Sequence, residues 1–397
     1  MQIIDSSCAN LTELHAFLLL NARIWKNQTR MDTLIQSQSF PVQGVLLHAI
    51  GGLAAASFYI PYKKVRHWAW ENYWLVGGFV SWIIAPWVLA MLILPQTPAI
   101  LAQASVKTVL WTVFFGAVWG IGGLTFGLTM RFLGVALGYA IALGLTAVFG
   151  TLIPPLFSGE LFVIAQTTSG QVLLSGVLVC VFGIVLGGTA GRRKEAELSD
   201  AQKKATIAEF NFTKGLVVAI VAGVMSASMA VAFVAGKPIA DLAIDNGAPP
   251  LWQNLPVLIV ILFGGFVTNF VWCVTLIIKN GTAGELLGKG SSSEASNSSS
   301  GQSWLPLNFL FCAIAGFTWY LQFFFYGMGT TQLGEYEFSS WTLHMAFIIV
   351  FSTLWGLALR EWKGASRATH TWNAAGLIVL VLSIVIIGWG NTLASGA

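Results

Sequence analysis

The chain has 397 residues, 56% of them hydrophobic and only 9% charged, with a mean hydropathy of +0.75 and a formal net charge of +4. Soluble domains carry about 25% charged residues, so this composition excludes a water-soluble globular fold and implies an integral membrane protein.

Taken in chain order, residues 1–40 stand apart from the rest. Their apolar stretch AFLLL is too short to cross a bilayer, and no small-residue cleavage site follows a proper apolar core. We read them as an N-terminal extension with Met31 as the native start, because starting there removes Arg23, Lys26 and Arg30. Ten apolar runs follow, at roughly 41–60, 74–95, 108–130, 133–153, 170–190, 215–236, 256–278, 306–327, 339–359 and 373–391. Each is near the ~20 residues that a membrane-crossing helix needs. The runs are continuous rather than alternating, which predicts helices and not a barrel. Residues 192–214 form a charged connector, and the loop at 280–303 contains a serine-rich flexible linker.

Lys and Arg are distributed unevenly between the loops. Fifteen of the 20 follow odd-numbered spans, Lys107 and Lys237 follow even-numbered ones, and three precede the first span. The positive-inside rule then places the odd-numbered loops in the cytoplasm and both termini outside.

The two halves of the chain resemble each other. Gly116-x-x-Trp119, followed by Phe126-Gly127, recurs 200 residues later as Gly316-x-x-Trp319, followed by Tyr326-Gly327. The run from Gly176 matches the run from Gly376 at the same offset, and 148–152 resembles 350–354. Five spans per half is an odd number, so the second half enters the membrane in the opposite sense. The expected fold is all-α, with ten transmembrane helices in two inverted five-helix repeats, 41–191 and 215–392. Inverted repeats are an architecture of secondary transporters, with substrate held between the halves.

Polar groups within the spans are few, and intramembrane ionisable groups are costly and commonly functional. His48, Ser57, Arg131, Tyr139, Thr146, Asn269, Gln322 and His344 lie in or at the ends of spans, and Glu335 and Glu337 open the ninth. Glu337, Trp341 and His344 are spaced i, i+4 and i+7, which puts them on one helix face. A carboxylate or imidazole there could carry a proton; a solvated helix start and a satisfied buried histidine are the plainer explanations. The stretch FTWYLQFFFYG sets one amide, Gln322, among seven rings. Helical spacing puts Trp319, Gln322, Phe323 and Tyr326 on one face. Rings with one hydrogen-bonding group suit a sugar, a deoxy sugar above all, although ordinary packing or an aromatic ligand would use the same residues.

Cys8, Cys180, Cys273 and Cys312 have no paired spacing and read as packing residues. No phosphate loop, metal-ligand cluster, nucleic-acid motif or nucleophile–base constellation appears. The expectation is therefore of no catalytic residues, no metal, no cofactor and no nucleic-acid partner, with membrane lipids as surroundings.

Residues 57–87, SFYIPYKKVRHWAWENYWLVGGFVSWIIAPW, resemble the opening of the L-rhamnose–proton symporter family of the drug/metabolite transporter superfamily. The likeness continues through WGIGGLTFGLTMRFLG at 119–134, WYLQFFFYG, and SWTLHMAF at 340–347. It implies proton-driven uptake of L-rhamnose across the bacterial inner membrane. The family commonly has Asn where this chain has Gly123, and Gln-Tyr-Asp-Tyr where it reads Glu335-Tyr336-Glu337-Phe338. With that resemblance, Trp319, Gln322, Phe323, Tyr326, Trp119, Asn269 and Tyr139 are the expected substrate contacts, and Glu337, Glu335 and His344 the proton carriers. A carrier or exporter of another small metabolite, and a membrane sugar sensor that does not transport, are the competing readings.

Overall fold

The computed structural model describes residues 40–133, 135–157, 159–197, 212–288, 298–359 and 362–394. The N-terminal extension and Met31, and most of the connector and of the serine-rich linker, lie outside the described residues. Every regular element described is helical: α1 (Pro41–Ser57), α2 (Trp70–Ile93), α3 (Val106–Leu133), α4 (Val135–Phe157), α5 (Thr168–Ala196), α6 (Phe212–Asp245), α7 (Leu255–Asn280), α8 (Ser298–Thr330), α9 (Ser340–Ala358) and α10 (Arg367–Ala394). Among the described residues, nine helical segments are long and apolar enough to cross a membrane, and α4 contributes a shorter apolar stretch, Ile141–Leu156. Large side chains such as Leu92, Leu110, Leu178, Ile278 and Val385 stand exposed on the outer faces. In water such a surface would aggregate; against lipid it is the expected face.

Helix ends follow local chemistry. α1 opens on Pro41, whose missing N–H costs nothing in a first turn. α7 closes at Gly281 in the left-handed conformation, φ 68°. α2 is interrupted by a π-helical turn at Val80–Ile84. Pro86, just beyond it, has no N–H to donate to the preceding turn, and widening the ladder by one residue absorbs the mismatch.

Small residues let the helices close on each other. α5 and α10 pack antiparallel: a Cβ on Gly176 would stand 2.6 Å from Ile387, and one on Gly376 2.8 Å from the backbone of Gly187. α1 lies across α8 and α9, and α6 lies across α3 and α4. Cys180, Cys273 and Cys312 are buried free thiols within this packing, as expected of small core residues.

The turn between α1 and α2 is tied down by hydrogen bonds. Glu285 accepts from the Ala69 N–H at 2.6 Å and from Asn72 Nδ2 at 2.8 Å, while Glu71 accepts from Asn280 Nδ2 at 2.9 Å and Thr282 Oγ1 at 3.1 Å. Asn308 of α8 pairs with both backbone groups of Arg66. These ties fix the start of α2 and, with it, Trp74.

Candidate substrate and proton site

Trp319, Gln322, Phe323 and Tyr326 do share one face of α8, and that face meets five other segments of the protein. Trp319 stands edge-on to Phe58, just past α1, with ring centroids 4.1 Å apart, and 5.9 Å from Trp74 of α2. Phe323 meets Trp119 of α3 at 5.2 Å, and Trp119 in turn meets Trp82 at 6.3 Å. Tyr326 packs on Phe233 of α6 at 5.2 Å and on Trp341 of α9 at 5.6 Å. A narrow cleft lies beside Trp319, lined also by Phe58, Tyr62, Trp74, Ser81 and Trp82. The last two project from the π turn, which displaces them relative to a regular helix.

Beyond these rings, toward the α9 end of the same α8 face, are two histidines. His48 of α1 and His344 of α9 are both fully buried, with ring centroids 6.0 Å apart. Tyr326 touches each of them, at 5.3 and 5.2 Å. The close approach needs glycine. A Cβ on Gly51 would meet the Gln322 carbonyl at 2.9 Å and His344 at 3.2 Å.

Unpaired polar atoms concentrate along this path. Ser81 Oγ, Trp82 Nε1, Trp319 Nε1, Gln322 Nε2 and both ring nitrogens of His48 and of His344 are buried without a hydrogen-bond partner. His344 faces the His48 carbonyl but makes no hydrogen bond of ordinary geometry. Each buried donor or acceptor left unpaired costs roughly 1–3 kcal/mol, and folded proteins leave few of them. Rings interleaved with unsatisfied donors and acceptors form a surface that a small polyhydroxylated molecule would complete.

The structure sorts the remaining expected residues. Asn269 does not face the cleft with a free amide: its Oδ1 accepts from Trp74 Nε1 at 3.2 Å and its Nδ2 donates to the Gly265 carbonyl at 2.9 Å. It holds Trp74 in place. Ser57 accepts from Trp355 Nε1 at 2.9 Å, and Thr146 bonds back to the Ala142 carbonyl at 2.8 Å, so both are structural. Phe324 packs on Trp252 and Phe325 on Phe324, away from the cleft residues. The side chains of Tyr139 and Glu335 lie outside the described residues.

Glu337 departs from the sequence expectation. α9 begins only at Ser340, and Glu337 sits in a 3-10 turn, Gly334–Ser339, so it does not continue the helical face of Trp341 and His344. The tighter turn changes its phase. Its side chain is exposed, and it lies within electrostatic reach of Tyr326. The residues that sequence reasoning undervalued are His48, Phe58, Trp74 and Trp82. For His48 a signal was present, an ionisable side chain inside an apolar span; the rings looked like ordinary core.

Comparison with known proteins bears on the same region. The family model for L-rhamnose-proton symport protein (RhaT) matches residues 38–393. The L-rhamnose-proton symporter of Cronobacter sakazakii is 41% identical over 348 residues, covering 87% of this chain and 97% of that protein. Those of Klebsiella pneumoniae and Escherichia coli O157:H7 are each 39% identical, again over 87% of this chain and 97% of theirs. The chain belongs to the RhaT family. As a RhaT-family member it is a multi-pass membrane protein of a symporter family and not an enzyme. Both histidines and every ring of the cleft fall within the matched residues.

Proposed function

We propose that this protein imports L-rhamnose, or a closely related deoxy sugar, together with protons across the inner membrane by alternating access. The observation that carries this reading is the family match across residues 38–393, which takes in all the cleft and histidine residues. The site chemistry agrees with it. Trp319, Phe323, Tyr326 and Trp119 offer rings to the C–H face and methyl group of a deoxy sugar, and Gln322 offers an unpaired amide to its hydroxyls. His344, at depth, carries the proton together with Glu337 or Glu335.

The architecture we propose is ten crossings in two inverted repeats, 41–191 and 215–392, with both termini on the periplasmic side. Two features support it. The packing of α1 on α8 and α9 is the counterpart of α6 on α3 and α4. The contact of Gly176 with Ile387 becomes that of Gly376 with Gly187 when each number is moved by the 200-residue repeat and the helices exchange roles. The distribution of Lys and Arg supports the orientation.

The experiment is uptake of a panel of labelled sugars into proteoliposomes, with and without an inward-directed proton gradient. Accumulation of L-rhamnose that collapses with the gradient is the expected result. Accumulation of a different compound, or binding without accumulation, would overturn the reading.

A further inference from the structure

The two buried histidines form a unit that the family match alone does not describe. They come from α1 and α9, they share Tyr326 as a neighbour, and none of their four ring nitrogens has a hydrogen-bond partner. A neutral imidazole has one N–H donor and one bare acceptor nitrogen, so the pair holds two donors and two acceptors, and the only group the described residues offer them is the poorly aligned His48 carbonyl facing His344. Packing alone would favour apolar side chains in these positions, since every unpaired group there costs free energy.

We propose that His48 and His344 together form the coupling site, taking up a single proton and one hydroxyl of the sugar as a unit. This rests on the transport reading above and adds His48 to it. Two charges 6.0 Å apart in a water-poor interior repel strongly, so the pair accepts one proton and not two. The proton binds the bare nitrogen of one ring, which then has two N–H donors. One of these donates to a sugar hydroxyl oxygen, and the hydrogen of that hydroxyl goes to the bare nitrogen of the other ring. Each guest completes the hydrogen bonds the other needs. Binding of proton and sugar is then reciprocal by linkage, which is the requirement for symport.

The other titratable and charged groups around the pair are few among the described residues. α8 brings Tyr326. α6, which reaches Tyr326 through Phe233, has Lys237 and Asp241 beyond it, paired with each other at 3.3 Å. Glu337 precedes α9 in the 3-10 turn. α10, which meets α1 near Gly388, carries Arg367 and His370 at its opposite end.

The test uses the full-length protein in proteoliposomes and in detergent, with L-rhamnose as the probe. Wild type is assayed first for proton-driven accumulation; its failure there defeats the transport reading and not the pairing. Given wild-type accumulation, affinity for L-rhamnose is measured against pH. We expect affinity to rise by up to about tenfold per unit of falling pH across the range where one proton binds. His48→Gln and His48→Asn are expected to bind L-rhamnose more weakly and to lose the pH dependence of binding and the gradient-driven accumulation, while any exchange that remains at saturating sugar no longer varies with pH. His344→Gln is expected to show the same changes. Wild-type pH dependence and accumulation in the His48 variants would overturn the proposal. So would a fall in thermal midpoint that accounts for the lost binding and accumulation in all three variants, since the rings would then serve packing alone.

Discussion

Gly329 of α8 lies directly against the imidazole of His48: a Cβ placed on it would stand 2.8 Å from His48 Nε2. The absence of a side chain on one helix thus sets the position of an ionisable ring on another. Gly329→Ala must push the ring aside or part α1 from α8. Overpacking of this kind costs about 1–3 kcal/mol. We expect a lower thermal midpoint in detergent and a fall in L-rhamnose uptake that exceeds the loss of folded protein. Uptake normalised to folded protein distinguishes a displaced ring from a destabilised fold.

Gln322 should show the opposite balance. Its buried Nε2 has no partner, so Gln322→Ala removes an unsatisfied donor and leaves folding stability nearly unchanged. If that amide binds a sugar hydroxyl, the lost hydrogen bond corresponds to roughly tenfold or more in KM, at about 1.4 kcal/mol per factor of ten. Kinetics of uptake alongside thermal unfolding will reveal the two effects separately. An unchanged KM would remove Gln322 from the site.

Glu285 ties the turn before α2 to the end of α7. Substituting Ala leaves the Ala69 N–H and the Asn72 amide without the acceptor they share. The expected cost is about 1–3 kcal/mol per abandoned buried group, read as faster amide hydrogen exchange over residues 66–74. Because Trp74 stands on the first turns of α2, cleft affinity should fall as well.

Glu197, just past the membrane-spanning part of α5, contributes a pH-dependent tie to α10. The Ser366 hydroxyl, then the Thr369 hydroxyl and the Ser366 amide, hold its carboxyl down to about 2, with Arg193 adding to the effect. A carboxylate whose folded pKa is depressed stabilises fully above its unfolded value, and that contribution is lost as pH falls through the folded one. The thermal difference between wild type and Glu197→Gln should therefore be constant from pH 7 to about 5 and shrink between about 4.5 and 2. Its exposure keeps the effect small and sensitive to salt.

Much of this protein was readable from its sequence, for a reason specific to membranes. Lipid offers no hydrogen bonds, so each crossing segment must satisfy its own backbone and present apolar side chains. That demand falls on each segment separately, and so α1, α7 or α10 announces itself in a single apolar run. The ring face of α8 was readable too, since helical periodicity alone puts Trp319 beside Phe323 and Gln322 beside Tyr326. Phase failed at Glu337, where a 3-10 turn replaces the helix that the spacing assumed.

Which polar groups are available is a different kind of fact, and only the tertiary structure decided it. Asn269 and Gln322 look alike in the sequence, each a single amide in an apolar span. One is consumed by Trp74 and its own helix, while the other is left unpaired. His48 and His344 lie in different halves of the chain, and nothing local to either indicates that they meet. Hydrogen-bond satisfaction depends on which helices touch and how closely, and here glycines such as Gly51 and Gly329 set that distance.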